Sequence, residues 1–287
     1  MADMAPTMPE TGRFEKSQPQ KRRSAPANRP RVYLCGIPLD SLGMHEIVAT
    51  VEQRLDAGER TAIGVVNVAK IVNMQRDRLL RESVTASDVV LADGAPLVWL
   101  SRLKRTPLPE RVAGIDLMFE LFKLANRRGY RVFLLGAQES TLHRVVEIAR
   151  RDYPGMVVAG YQDGYFPESQ EESVARAIRN ARADMLFVAM SSPKKEIFLN
   201  KWAGLMGTPV SHGVGGSFDV MAGVTCRAPR WMQRAGLEWF YRVIQEPRRM
   251  WKRYLVTNTL FLGMAFRDLF KRHNPAERES CRDFAGN

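Results

Sequence analysis

Cysteine and histidine are scarce in this 287-residue sequence. Its three cysteines, Cys35, Cys226 and Cys281, lie far apart with no Cys-x-x-Cys spacing. That argues against a disulfide framework or a zinc site and fits a reducing compartment. The four histidines, His45, His143, His212 and His273, are scattered, so no histidine-based metal centre is expected. No Gly-x-Gly-x-x-Gly follows the first strand-like segment and no Walker A loop occurs, so the two common nucleotide fingerprints are missing. No apolar stretch follows the basic residues near the start, as a secretory signal would require. The apolar run at 255–266 is only twelve residues long, too short to cross a bilayer.

The formal net charge is +12, and its distribution is uneven. Residues 1–31 carry seven Lys/Arg against three Asp/Glu, and residues 227–272 carry eleven against three. The intervening 32–226 is close to neutral, with 23 against 22. A nucleic-acid enzyme would spread basic residues over a binding face; nucleic acid is therefore not an expected partner. A basic end on a neutral body points to an anionic membrane surface. Within 227–272, Arg242, Arg249 and Arg253 interleave with Trp239, Phe240, Trp251 and Tyr254. That pattern suits a helix lying in a membrane interface, or equally a helix packed on the core with solvated arginines.

Residues 1–30 are rich in Pro, Ser, Gln and Lys/Arg and are expected to be disordered, as is a flexible tail at 273–287. From 31 to 226, apolar runs alternate with amphipathic stretches. "RVYLCGIPL" (31–39), "AIGVVNV" (62–68), "DVVLAD" (88–93), "YRVFLLG" (130–136), "MVVAGY" (156–161), "DMLFVAM" (184–190) and "TPVSHGVGG" (208–216) read as strands. Residues 43–57, 114–128, 139–152, 169–182 and 194–206 read as helices. Strands apolar on both faces and alternating with helices predict an α/β, Rossmann-like, mostly parallel sheet covered on both sides. A basic helical appendage at 227–272 follows it.

In such sheets ligands bind at the carboxyl ends of the strands. Asp93 stands there, between two apolar runs; it is either a turn or helix cap or a general base at a pocket edge. Asn67 ends the preceding strand. The glycine-rich "GVGGSFD" (213–219), with Gly213, Gly215, Gly216, Ser217 and Asp219, would let backbone amides approach a diphosphate, or is simply a tight strand-to-helix turn. Arg111, in "PERVAGIDL", suits bidentate phosphate pairing or an ion pair with Glu110 or Asp116. In "SSPKKEIFL", Lys194 and Lys195 precede Glu196 at a helix start, where cations oppose the macrodipole; an anion nearby would explain them, as would a solvated cluster.

Taken in order, "NVAKIVNM", "ADGAPLVW", "ERVAGIDLM", "LLGA", "GYQDGYF", "SSPKKEIFL", "GVGGSFDVMAG" and "RAPRWMQRAGLEWFYRVIQEPRRMWKRY" resemble the WecG/TagA/CpsF family of glycosyltransferases (glycosyltransferase family 26) over residues 32–255. The resemblance implies a UDP-sugar-dependent enzyme that needs no cofactor or metal. It would move a hexose-type sugar, with inversion, onto a polyprenyl-diphosphate-linked saccharide at the inner face of the cytoplasmic membrane. Exopolysaccharide or another surface glycan is the implied product. The resemblance further implies Asp93 as the general base, Asn67 in the donor site and Arg111 on the substrate or leaving diphosphate. Arg227, Arg230, Arg242 and Arg249 of the appendage would reach a diphosphate or the membrane, and the chain would be capable of homo-oligomerisation. Two positions depart from the family pattern: Val65 replaces a threonine and Lys195 a glutamine, which opens the choice of donor to a charged or differently substituted sugar. A non-catalytic nucleotide-sugar sensor or membrane-recruitment module on the same fold is the alternative.

Overall fold

The computed structural model describes residues 30–270; the disorder expected at 1–30 and the tail expected at 273–287 fall almost wholly outside them. The chain opens with β1 (Arg31–Leu34) and β2 (Ile37–Asp40), then α1 (Met44–Asp56) and β3 (Thr61–Val66). There follow α2 (Val68–Met74), α3 (Arg78–Thr85), β4 (Val89–Ala92), α4 (Ala95–Leu103) and α5 (Gly114–Arg128). Next come β5 (Arg131–Gly136), α6 (Glu139–Asp152), β6 (Val157–Gln162), α7 (Glu171–Asn180) and β7 (Met185–Ala189). The rest is α8 (Lys194–Met206), β8 (Val210–Gly213), α9 (Ser217–Met221), α10 (Arg230–Arg234), α11 (Glu238–Gln245) and α12 (Pro247–Phe270).

Strands β3 to β8 form one parallel sheet in the order β4-β3-β8-β7-β5-β6. Alternation along the strands assigns each side chain to a face. Ile63, Val65, Val89, Leu91, Val132, Leu134, Met185 and Phe187 join a core with Ile47, Val51, Leu117, Leu121 and Phe122. The intervening Val66, Val90 and Ala92 face a second core with Ile71, Leu80 and Leu97, and Phe133, Leu135, Leu186 and Val188 face a third with Val174, Ile178 and Phe198. Helices therefore cover both sides, as the runs of apolar strand residues predict. Between the second and third cores β3 and β8 present Gly64, Ser211 and Gly213, too small to fill the seam.

Three local expectations need correction. Residues 31–39 form an antiparallel hairpin in a sheet of their own, because Cys35 and Gly36 both take positive φ (51° and 75°) and reverse the chain. Its Asp40 is buried and accepts from the Val90 amide (2.7 Å) and from Arg31 (3.0 Å), so it shields the edge strand β4. The strand read at 62–68 ends at Val66, and helices α2, α3 and α4 lie outside the stretches that read as helices; each is too short to show a convincing period. In 208–216 only Val210–Gly213 is strand.

The appendage is three helices, and α12 packs along α2. Phe261 enters the second core with Leu260, Met264 and Ala265 at its edge. Asp268 pairs with Lys104 (2.9 Å) and accepts from the Cys35 amide (2.9 Å), pinning the helix end to the hairpin turn.

His212, on β8, is fully buried with Nε2 3.0 Å from the Gly114 carbonyl oxygen. Burial pushes its imidazole down to about 4, against the pull of that carbonyl. The unfolded ring titrates near its ordinary value, so this residue's contribution is complete above about pH 6.5 and is lost as pH falls toward 4. Between pH 7 and pH 5 it removes about 2 kcal/mol of stability. Denaturant unfolding of the His212→Gln protein should lose correspondingly less over that interval than the wild type; equal losses would contradict the assignment.

Candidate active site

The first and last strands of the parallel sheet, β3 and β8, are neighbours. The chain leaves β3 toward one edge and reaches β8 from the other, which opens a crevice at their carboxyl ends. A cavity of about 1050 Å³ lies there, bounded by the ends of β3 to β8 and roofed on one side by the appendage. Asn67, Lys70, Asp93, Lys195, Gly213 and Arg242 are among its lining residues.

Asp93 follows β4, and its amide extends the ladder by one bond, to the Val66 carbonyl (2.8 Å). The reading of Asp93 as a helix cap is set aside: the cap of α4 is Gly94, at φ +142°, and α4 has no side-chain cap. The Val112 amide bonds to the Ala92 carbonyl (2.9 Å). That bond brings the segment carrying Arg111, and the start of α5 at Gly114, alongside Asp93. The carboxyl is half-buried and opens onto the cavity. Burial pushes its pKa up, the Arg111 charge pulls it down, the Glu238 charge pushes it up again, and the Gly114 backbone and Arg242 pull it down. The balance leaves it raised above the ordinary carboxylate value.

A chain of ion pairs joins this wall to the appendage. Arg227 grips Asp116 with both nitrogens (2.6 and 2.8 Å) and lies 3.6 Å from Glu238. Glu238, on α11, takes Arg111 at 2.7 Å. Gly236, at φ +71°, lets this segment lie on α4: a Cβ there would stand 2.6 Å from that of Ala95. Arg242 lines the cavity, whereas Arg230 is exposed and lies outside its lining. The side chain of Arg249 is outside the described residues.

The opposite wall is the turn after β8. Gly213, Gly215, Gly216, Ser217 and Asp219 all line the cavity, but part of the turn's amide set is already bonded within the protein. The Val214 and Gly215 amides both donate to the Val188 carbonyl (2.9 and 3.3 Å), and the Ser217 amide and hydroxyl go to Val214 (3.3 and 2.7 Å). Instead the missing side chain makes room for a cation. A Cβ on Gly213 would lie 3.2 Å from Cδ and Cε of Lys195, and one on Gly215 would lie 3.9 Å from its Nζ.

Lys195 meets Lys70 and Glu196 in the seam between the two cores. Both ammonium groups lie 2.8 Å from Glu196 Oε1. Burial, then the Lys70 charge, pushes the Lys195 ammonium down to about 8, against the pull of Glu196. Burial works to raise the Glu196 carboxyl, but the two lysines outweigh it and hold it at about 2. Asn67 caps α2, its side chain accepting from the Lys70 amide (2.9 Å). The cap therefore fixes the turn from which Lys70 reaches back toward α8. Val65 presents an apolar patch to the cavity.

Comparison with known proteins decides the family. The profile of the glycosyl transferase WecG/TagA/CpsF family matches residues 32–275. The chain belongs to this family. It is 40% identical to an N-acetylglucosaminyldiphosphoundecaprenol N-acetyl-beta-D-mannosaminyltransferase of Bacillus subtilis (strain 168) over 205 residues, 71% of this chain and 77% of the relative. It is also 40% identical to the Bacillus spizizenii (strain ATCC 23059 / NRRL B-14472 / W23) protein of the same name over 172 residues, 60% of this chain and 66% of the relative.

In this member of the WecG/TagA/CpsF family, sequence reasoning missed Lys70 and Glu238. Lys70 stands where no element was expected, although its place three residues after an asparagine that can cap a helix is a usable signal. Glu238, between Leu237 and Trp239, gave none beyond lying in a motif. Tyr165, Gln138 and Thr141 also line the cavity, at the ends of β5 and β6.

Proposed function

We propose that this WecG/TagA/CpsF family member transfers a hexose-type sugar from a UDP-sugar to a polyprenyl-diphosphate-linked saccharide, in exopolysaccharide or other surface-glycan biosynthesis. The activity named for the two Bacillus relatives supports an acceptor of that kind. The observation that carries the reading is Asp93: a carboxyl of raised pKa at a strand end, open to a cavity and flanked by Arg111 and Arg242. Its carboxylate takes the proton of an acceptor hydroxyl as the oxygen bonds to the anomeric carbon. The bond from that carbon to the β-phosphate oxygen breaks in the same step, UDP leaves, and the configuration inverts. A base whose pKa is raised toward the working pH is a better proton acceptor. Charge developing on the diphosphate is met by Arg111 and Arg242, so that no metal is required. Arg111 exchanges Glu238 for phosphate when substrate enters.

The appendage supports action at a membrane. One stripe of α12, Thr257, Phe261, Met264 and Asp268, packs inward. A second stripe, Trp251, Leu255, Leu262, Phe266 and Phe270, is exposed, as are Trp231 and Ile244 nearby. No helix among the described residues is long and apolar enough to cross a bilayer. A basic helix with an exposed apolar stripe suits the interface of an anionic membrane, and the chain accordingly works as a peripheral protein on the inner face of the cytoplasmic membrane.

Asp93→Asn is expected to lower kcat by about 10²- to 10⁴-fold while UDP binding persists. The wild-type rate should fall as pH drops through the raised Asp93 pKa. Near-normal turnover in the variant would remove Asp93 as the base, and a wild type that binds UDP-sugars without turnover would favour a sensor. Replacing Leu255, Leu262 and Phe266 together by serine should cut cosedimentation with anionic vesicles about tenfold or more, without altering the fold by circular dichroism. Unchanged vesicle binding would rule out the stripe as the contact.

A further inference from the structure

The cations of the cavity differ in how well they are balanced. Arg111 is matched by Glu238 and Arg227 by Asp116. Among the described residues, Lys70 and Lys195 share a single carboxylate, Glu196, and the charges acting on Lys195 are those of Lys70 and Glu196. The cluster is buried, with side-chain exposures of 11%, 9% and 9% for Lys70, Lys195 and Glu196. It thus holds one surplus positive charge out of bulk water, an arrangement that is costly unless a counter-charge is supplied. Lys70 and Lys195 both face the cavity. Lys195 also stands in the first turn of α8, a thirteen-residue helix with no side-chain cap, so helix dipole and ammonium groups favour negative charge at the same spot.

We propose that Lys70, Lys195 and Glu196 form an anion subsite that takes one negatively charged group of the substrate. The group is either a phosphoryl oxygen of the donor diphosphate or a carboxylate on the donor sugar. Glu196 sets the charge to one unit and holds both ammonium groups at equal reach; Gly213 leaves the space in which Lys195 lies across the turn. The inference rests on the proposed UDP-sugar donor for the identity of the anion, though not for the existence of the subsite.

The test compares wild type with Lys195→Gln, titrating UMP, UDP, a neutral UDP-hexose, a UDP-hexuronic acid and inorganic pyrophosphate by calorimetry. Where the subsite holds the diphosphate, the variant loses about tenfold or more in affinity for UDP, both UDP-sugars and pyrophosphate. Where it holds a sugar carboxylate, only UDP-hexuronic acid weakens, and the wild type prefers it to the neutral donor. Equal affinities for every ligand in the two proteins overturn the subsite while leaving the UDP-sugar reading intact. Wild type that binds pyrophosphate through Lys195 but no uridine nucleotide overturns the donor reading and keeps the subsite; binding of none overturns both. A readout on the wild type alone covers a variant that fails to fold. Near pH 8 an anion bound beside Lys195 must draw a proton onto it. Heats measured in buffers of different ionisation enthalpy should therefore show proton uptake, and their coincidence would count against the proposal.

Discussion

The parallel pairing of β3 with β8 is the constraint on which the site depends. It joins the beginning and the end of the sheet, and so gathers at one edge groups that are far apart in the chain. Asn67 and Lys70 leave β3, Asp93 leaves β4, and Lys195 and Glu196 follow β7, while the glycine turn follows β8. Small residues stand in the seam because neighbours approach it closely: a Cβ on Gly64 would lie 2.9 Å from Ser87 Oγ, and one on Gly213 3.2 Å from the Lys195 side chain. Lys70 and Lys195 occupy that seam, where an apolar sheet face would otherwise continue. The packing that leaves the second face with two separate cores is also what places charge beside the cavity.

The charges then divide the cavity into two differently prepared ends. At the appendage, arginines are held by carboxylates: Arg227 by Asp116 and Arg111 by Glu238. In each pair the ion already has its partner, so an anion that took the arginine would have to displace a carboxylate. They also bind α11 to the body, so Arg111 both lies beside Asp93 and seats the appendage. At the other end the charge is unmatched in advance, which favours an anion from the outset. Asp93 lies within electrostatic reach of the first end, and the opposing effects of Arg111 and Glu238 on its carboxyl make the appendage part of its environment.

The sheet was legible in the sequence because strands buried on both faces are apolar throughout, and the strand before Asp93 ends abruptly at a charge. Where two turn residues flip the chain, as Cys35 and Gly36 do, the apolar run 31–39 hides the reversal. Asp93 was ambiguous because an acid followed by glycine is commonly a turn or cap; the position of Gly94 as the cap removes that reading. The glycines of 213–216 were legible as a close approach but not as to what approaches. The Val214 and Gly215 amides turn inward to Val188, and the visitor is a lysine from eighteen residues upstream of the turn. Glu238 and Lys70 carry meaning only through partners 127 and 126 residues away, respectively Arg111 and Glu196, and no local pattern encodes such pairs.

The most direct test of the account is transfer itself. The full chain would be mixed with anionic vesicles carrying a polyprenyl-diphosphate-linked N-acetylglucosamine, and a panel of UDP-sugars supplied one at a time. Mass spectrometry of the lipid and quantitation of UDP would follow. The account predicts that at least one donor adds a single sugar to the acceptor, with one UDP released for each sugar transferred. A panel in which no donor changes the mass of the acceptor, or in which UDP is released while the acceptor stays unmodified, would contradict it.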